Sequence, residues 1–154
     1  MAIVSVFVFY GTGNAENKNE LSVPDVYYVD SDMLRLVSVS TPCDGNTPQK
    51  QAEEVIDKLI LGKDHNKKIK RMIPDTEGCI TVKVMGNTAY VDIKGKENFP
   101  DGRIAEELVV YQIVNSLTSI DGIVKVKFTF EGKTEKEFKG FIDMRETFIP
   151  DYYV

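Results

Sequence analysis

The side chains that most often carry out chemistry in proteins are few and scattered in this chain. His65 is the single histidine among 154 residues, and it follows Asp64 in a polar stretch. A site built from a nucleophile, a histidine and a carboxylate would have to use His65. A lone histidine in a polar loop is far more typical of a solvated surface. We therefore predict no catalytic residue.

The acidic and cysteine residues do not follow the spacing of a metal site. Asp30 and Asp32 are spaced like the first ligands of a calcium loop, but an apolar pair follows where further ligands and a glycine are needed. A turn with Asx hydrogen bonds is the better interpretation. Cys43 and Cys79 lie far apart without a Cys-x-x-Cys pair, which argues against a zinc site. They form either one disulfide or two small apolar fillers.

The remaining acidic residues and the glycines also lack a site pattern. Glu53-Glu54 and Glu106-Glu107 are neighbours in predicted helices, where adjacent side chains point about 100° apart and do not converge. We expect both pairs on solvated helix surface. Asp92 is out of phase with the apolar residues of its strand, so it should face away from the core as a hydrogen-bonding group. Gly11-Thr12-Gly13 lacks the third glycine and the following helix of a phosphate loop. We predict no cofactor and no metal, and an enzyme is not expected.

A basic stretch is the strongest charged feature, within a protein of net charge −5. Its cations are the predicted contact residues of the chain: Lys63, Lys67, Lys68, Lys70 and Arg71. They would suit anionic lipid, a cell-wall polymer or an acidic partner protein, or they form a solvated loop. The acidic balance of the whole chain argues against a general nucleic-acid binder.

The periodicity of the sequence predicts an α+β fold. Val82 and its neighbours alternate with polar residues up to Gly86-Asn87, which is typical of a hairpin turn. Thr47-Pro48 suits the start of a helix. The predicted elements are strands 25–29 and 33–40, a helix from 47 to 62, a hairpin 80–93, a helix 104–119 and a strand 124–130. This ββαββαβ order favours a small, mostly antiparallel sheet with both helices on one face.

The two ends of the chain carry less pattern. Residues 1–22 contain an apolar run, MAIVSVFVFY, and a polar linker. The run is either an extra strand or, as we favour, the distal part of an export signal or anchor. We expect a single domain over residues 23–148 and a C-terminal tail over 149–154 that docks or frays.

The order and spelling of these elements resemble the GerMN domain of spore germination and sporulation proteins, from about Val26 to Arg145. The blocks that carry the resemblance are DVYYVDSDMLRLVSVS, PQKQAEEVIDKLILGK with its Leu-x-x-Gly end, MIP, NTAYVDIKG and YQIVNSLTSIDGIVKVKFTFEG. The chain departs from the usual pattern at Gly62-Lys63, where the family often has Gly-Pro, and at Ser116, where it has threonine. It has one copy of the domain and no lipid-attachment cysteine after its apolar run.

The resemblance implies a non-enzymatic domain outside the cytoplasmic membrane, exported or anchored there. Its fold would be similar to the ring-building domains of sporulation secretion complexes. It would act as a scaffold or assembly module through contacts with proteins of the sporulation or envelope machinery, or with itself. The membrane would be reached only through an N-terminal anchor, and no nucleic acid would be bound. The alternative is a module that binds cell-wall glycan or a small germinant through the faces of Tyr27, Tyr28, Tyr90, Tyr152 and Tyr153.

Overall fold

A computed structural model describes residues 21–61 and 68–154 of the chain. These parts contain six strands and two α-helices: β1 (Asp25–Asp30), β2 (Leu36–Ser40), α1 (Pro48–Leu61), β3 (Ile69–Lys70), β4 (Ile80–Met85), β5 (Thr88–Ile93), α2 (Arg103–Thr118) and β6 (Lys125–Phe130). The α+β class, the two helices and the mostly antiparallel pairing are confirmed. Within the described ranges, neither helix is long and apolar enough to cross a membrane.

The strands divide into two three-stranded sheets, where the sequence suggested one. The first sheet has the order β2-β1-β3 and is antiparallel throughout. The second has the order β4-β5-β6, with β4 antiparallel and β6 parallel to β5. The short strand β3 occupies the second edge of β1. Pro74 lies in the unpaired segment between β3 and β4, where its missing N–H interrupts no strand pairing.

The first helix follows its sequence signals closely. The Thr47 hydroxyl accepts a hydrogen bond from Lys50 N at 3.2 Å, and Pro48 takes the first helical position. One face of α1 is buried and packs mainly on β4; its apolar members are Ala52, Val55, Ile56, Leu59 and Ile60. Each large side chain buried there contributes roughly 1.5–3 kcal/mol before chain entropy offsets most of it.

The second helix is buried on most of its sides. It packs mainly on β1 and also contacts β6 and α1, so it joins elements of both sheets. Polar residues are buried along with the apolar ones, among them Glu106, Gln112, Asn115 and Ser116. Ile104, at the start of the helix, is apolar but exposed. A helix covered from several directions has no single apolar stripe, which is why its periodicity is weak.

Candidate interaction surfaces

The structure describes three of the five cations predicted as contact residues. Lys63 and Lys67 lie outside the described residues, as does His65. Lys68 and Lys70 are exposed at β3, the edge strand of the first sheet. The main chain here is tied to the first hairpin, because Ser31 N donates to Lys68 O at 2.7 Å. Within residues 21–61 and 68–154 neither lysine forms an ion pair, and the main chain at Lys68 is held by this hydrogen bond.

Arg71 takes part in holding the fold. Its guanidinium donates to Asp75 Oδ2 at 2.9 Å and to the main-chain oxygen of Leu61 at 2.5 Å. Leu61 is the last residue of α1, whose final carbonyl groups lack partners within the helix. Arg71 thus caps the C-terminal end of α1.

Asp30 forms the predicted Asx-type hydrogen bond in the turn between β1 and β2. Its Oδ1 accepts from Leu34 N at 3.0 Å, and its Oδ2 lies 3.4 Å from Arg35 Nε. The Leu34 N–H, followed by the contacts of Arg35, lowers the pKa of the Asp30 carboxyl below its ordinary value. No group of three or more His, Cys, Asp or Glu side chains within residues 21–61 and 68–154 is placed to hold a metal ion.

The two cysteines are free thiols, so of the two interpretations left open the structure contains the apolar fillers. Cys79 is buried beside Pro74 O, and Cys43 is half-buried near Thr41 O. Burial raises the pKa of both thiols, which makes each a weak nucleophile at neutral pH.

The expectation that Glu106 lies on solvated helix surface is wrong. Its side chain is 0% exposed, and its Oε1 accepts hydrogen bonds from Lys139 N at 3.2 Å and Ile142 N at 2.9 Å. Its Oε2 has no partner within the described residues. The Glu106 carboxyl group, in the first turns of α2, thus binds the main chain of the segment that follows β6 and holds it against the helix. That segment has no helix or strand pattern, so nothing in the sequence nearby indicated that it would cover α2.

The C-terminal tail docks on α2 through a buried asparagine. Asn115 Nδ2 donates to Asp151 O at 2.6 Å, and Asn115 Oδ1 accepts from Asp151 N at 3.0 Å. The tail then reaches the outer edge of β2, where Leu36 N donates to Val154 O at 3.2 Å. The Asn115 amide thus binds the main-chain N–H and C=O of Asp151 as a neighbouring strand would, and its own donor and acceptor both have partners although it is buried.

The outer edge of β4 is closed in a similar way by Gln49 in the first turn of α1. Gln49 Nε2 donates to Val82 O at 3.1 Å, and Gln49 Oε1 accepts from Val84 N at 2.7 Å. Both main-chain groups face away from β5, the only strand that pairs with β4 in the described part of the chain. A side chain here occupies hydrogen-bonding groups that an added strand would need.

Asp92 behaves as its phase in the strand predicts. It points away from the core and its Oδ1 accepts from Thr129 Oγ1 at 2.7 Å and from Gly132 N at 2.8 Å. These bonds join β5 to β6 and to the turn that follows it. The carboxylate is thereby engaged in structure.

The tyrosines do not gather at one place. Tyr28 is buried in the core of the first sheet, while Tyr90 lies on the second sheet. The rings of Tyr27 and Tyr152 pair at a centroid distance of 6.0 Å, and Tyr153 next to them is fully exposed. A continuous stacking platform of all five rings is not formed.

A cleft of about 580 Å³ lies between the short 3-10 turn after β5 and the segment after β6. Its walls are charged with both signs, and Lys96 pairs there with Glu135 while its Nζ lies 5.4 Å from the ring centroid of Phe130. The opposite charges satisfy each other across the opening. Lys96 and Glu135 are therefore paired with each other, and neither is left to bind a ligand in the cleft.

The outward face of the second sheet was not singled out from the sequence, although its alternation was visible there. Lys83, Tyr90 and Lys127 form one cross-strand row, because Lys83 is opposite Tyr90 on β5 and Tyr90 is opposite Lys127 on β6. The next row contains Met85 and Lys125. We call these five residues the basic face.

The inward side of the same strands is apolar and buried, with Ala89, Val91, Phe128 and Phe130 among its members. Side chains alternate between the two faces of a strand, so the buried set fixes the direction of the exposed one. Tyr90 is 40% and Met85 is 48% exposed. Lys83 and Lys125 have no ion-pair partner in the part of the chain that the structure describes, and Lys127 Nζ donates to the main-chain oxygen of Arg145.

The sequence and the fold of the chain are similar to those of known proteins. A model of the family described as "Germane: Sporulation and spore germination" matches residues 25–136. None of the curated proteins compared with the chain matches it.

Solved structures share the fold at low sequence identity. The first GerMN domain of the sporulation protein GerM from Bacillus subtilis has 18% identity and a TM-score of 0.60, over 78% of this chain and 90% of that one. The tandem GerMN domains of the same protein have 18% sequence identity and a TM-score of 0.62, and the match covers 79% of this chain and 43% of that one. A protein from Clostridium perfringens, provisionally described as a lipoprotein, has 16% sequence identity and a TM-score of 0.60. This match covers 81% of this chain and 85% of that one. The resemblance to the GerMN domain is confirmed, and the chain belongs to the Germane family of sporulation and spore germination.

Proposed function

We propose that this domain acts as a scaffold or assembly module in sporulation or spore germination, through contacts with other proteins and without catalysis. The observation that carries the proposal is how its polar side chains are used. Glu106, Asn115, Gln49 and Asp92 each bind main-chain groups of this same chain. They fasten loops, the tail and a sheet edge, and so are not offered to a substrate.

The proposed setting is the outside of the cytoplasmic membrane. Family membership supports a role in sporulating cells, and one structural relative carries a lipoprotein description. Partners would then be proteins of the sporulation or envelope machinery, or a second copy of the chain. Protease treatment of intact sporulating cells tests the setting: an extracytoplasmic domain is degraded, whereas full protection of the chain would contradict it.

The scaffold role predicts a specific protein partner. The full chain should be cross-linked in sporulating cells, the captured proteins identified by mass spectrometry, and each candidate tested against the purified chain by size exclusion. A partner that co-elutes with the purified chain is expected. A strictly monomeric chain that co-elutes with none of the candidates would contradict the proposal.

Thermal unfolding separates this role from binding of glycan or a small germinant. Under the scaffold proposal, muropeptides and amino acids leave the midpoint unchanged. A saturable rise in midpoint with one of these ligands would favour the alternative, since a ligand that binds only the folded state stabilises it. Tyr27→Ala and Tyr152→Ala variants would then locate such a site at the paired rings.

A further inference from the structure

We propose that the basic face of the second sheet, formed by Lys83, Met85, Tyr90, Lys125 and Lys127, binds an acidic surface of another protein. The inference rests on the proposed scaffold function and names the contact that it would use. It differs from the basic stretch at Lys68–Arg71, which lies on the first sheet.

The basic face is positively charged, whereas the protein as a whole is negatively charged. The whole chain has a net charge of −5, yet three lysines share this side of the sheet and Asp92 is the one acidic residue in its strands. The Asp92 carboxylate already accepts two hydrogen bonds from Thr129 and Gly132. A local basic field on an acidic protein favours and steers association with a negatively charged partner.

The spacing of the lysines suits a surface with several carboxylates. Neighbouring strands lie about 4.8 Å apart, so the Cα atoms of Lys83 and Lys127 are separated by about 10 Å across Tyr90. Lys125 is two residues along β6 from Lys127, which is about 7 Å. The cations thus surround an exposed aromatic ring at a scale that one partner surface spans.

The apolar centre favours a protein over an anionic polymer. Tyr90 and Met85 are large and half exposed, and aromatic and methionine side chains are enriched at the centres of protein interfaces. The three strands contain no arginine, the residue best suited to bidentate recognition of phosphate. Because like charges repel, two copies of the chain would not associate through this face on both sides.

The test measures binding of a fluorescein-labelled acidic peptide, three repeats of Glu-Glu-Tyr-Gly, by fluorescence anisotropy. The variant Lys83→Glu/Lys125→Glu reverses two lysines of the basic face that form no ion pair within the described residues, and Lys68→Glu/Lys70→Glu makes the same charge change on the first sheet. We expect the first variant to bind at least about tenfold more weakly and the second to stay within about twofold of the parent chain. Tyr90→Ser should weaken binding about threefold at unchanged charge.

Several outcomes would overturn the inference. They are absence of binding to the parent chain, equal loss in both double variants, or loss only in the variant of the first sheet. Tighter binding of polyphosphate or single-stranded DNA than of the peptide, with no effect of Tyr90→Ser, would assign the face to an anionic polymer instead. Lys68, Lys70 and Lys83 are exposed and Lys125 is half-buried, so thermal unfolding of each variant checks that it folds.

The peptide assay needs no cellular partner. Its failure would therefore refute the basic face while cross-linking and co-elution could still reveal a partner at another surface. Conversely, success with the peptide and no partner in sporulating cells would count against the scaffold function and leave the assignment of an acidic ligand to this face.

Discussion

The substitution Glu106→Ala should separate the segment after β6 from α2. Two main-chain N–H groups, of Lys139 and Ile142, lose their acceptor, and the methyl group leaves space in a site that is 0% exposed. A donor left unsatisfied in a partly buried place costs about 1–3 kcal/mol, so the two together predict a loss of about 2–6 kcal/mol. That is a large fraction of the 5–15 kcal/mol typical of a folded domain.

Glu106→Gln tests the cause, because its side-chain oxygen can still accept both hydrogen bonds. We expect it to lose less than about 1 kcal/mol, and Glu107→Ala, on the neighbouring half-buried position, less than about 0.5 kcal/mol. Urea denaturation gives the free energies of unfolding, and hydrogen exchange at Lys139 and Ile142 reports the local release. Equal losses for Glu106→Ala and Glu106→Gln, or no loss for either, would refute the argument that the acceptor fastens the segment.

Three further substitutions follow from contacts described above. Gln49→Ala should cost about 1–3 kcal/mol in urea denaturation by freeing two main-chain groups at the edge of β4, and Gln49→Glu, which keeps the acceptor, should lose less. Asn115→Ala should cost about 2–3 kcal/mol and speed hydrogen exchange at Asp151; unchanged exchange there would contradict the docking of the tail. Asp30 has a pKa below its ordinary value of about 3.9 in the folded state, so its contribution is present above about pH 4 and is lost as the pH falls further. Stability of Asp30→Asn should therefore trail the parent chain at pH 6, with a gap that narrows toward pH 2.

Local signals predicted the elements well. The Thr47-Pro48 start of α1 is visible in the sequence because the capping hydroxyl and the first proline act on their own neighbours. The turn at Gly86-Asn87 is two residues long, with Met85 opposite Thr88, and Gly86 has a φ of 59°, which glycine adopts without strain. In both cases the physical cause lies within a few residues of its effect.

Long-range contacts could not be predicted in the same way. Whether Glu106 is solvated or buried depends on a segment more than thirty residues later that has no regular pattern. The division into two sheets depends on which strand takes each edge of β1, and β3, with two residues, is too short to be recognised by alternation. For the basic face, the residues were readable from the alternation, but their assembly required the register of three strands.

The closure of strand edges bears on how a partner would be recognised. Gln49 occupies the edge of β4, and the main chain of Phe148 exchanges two hydrogen bonds with Val126 on the edge of β6. Val154 accepts from Leu36 on the edge of β2. A partner that added a strand at these points would first have to displace contacts of the chain itself, at a cost in free energy that its own hydrogen bonds only replace. Association through an exposed sheet face carries no such cost, and its specificity comes from side chains. Charge reversal at Lys83 and Lys125 should then weaken binding of the acidic peptide, whereas Gln49→Ala, which frees Val82 O and Val84 N at the edge of β4, should leave it unchanged. Tighter binding of the peptide to Gln49→Ala, with no effect of the charge reversal, would indicate strand addition instead.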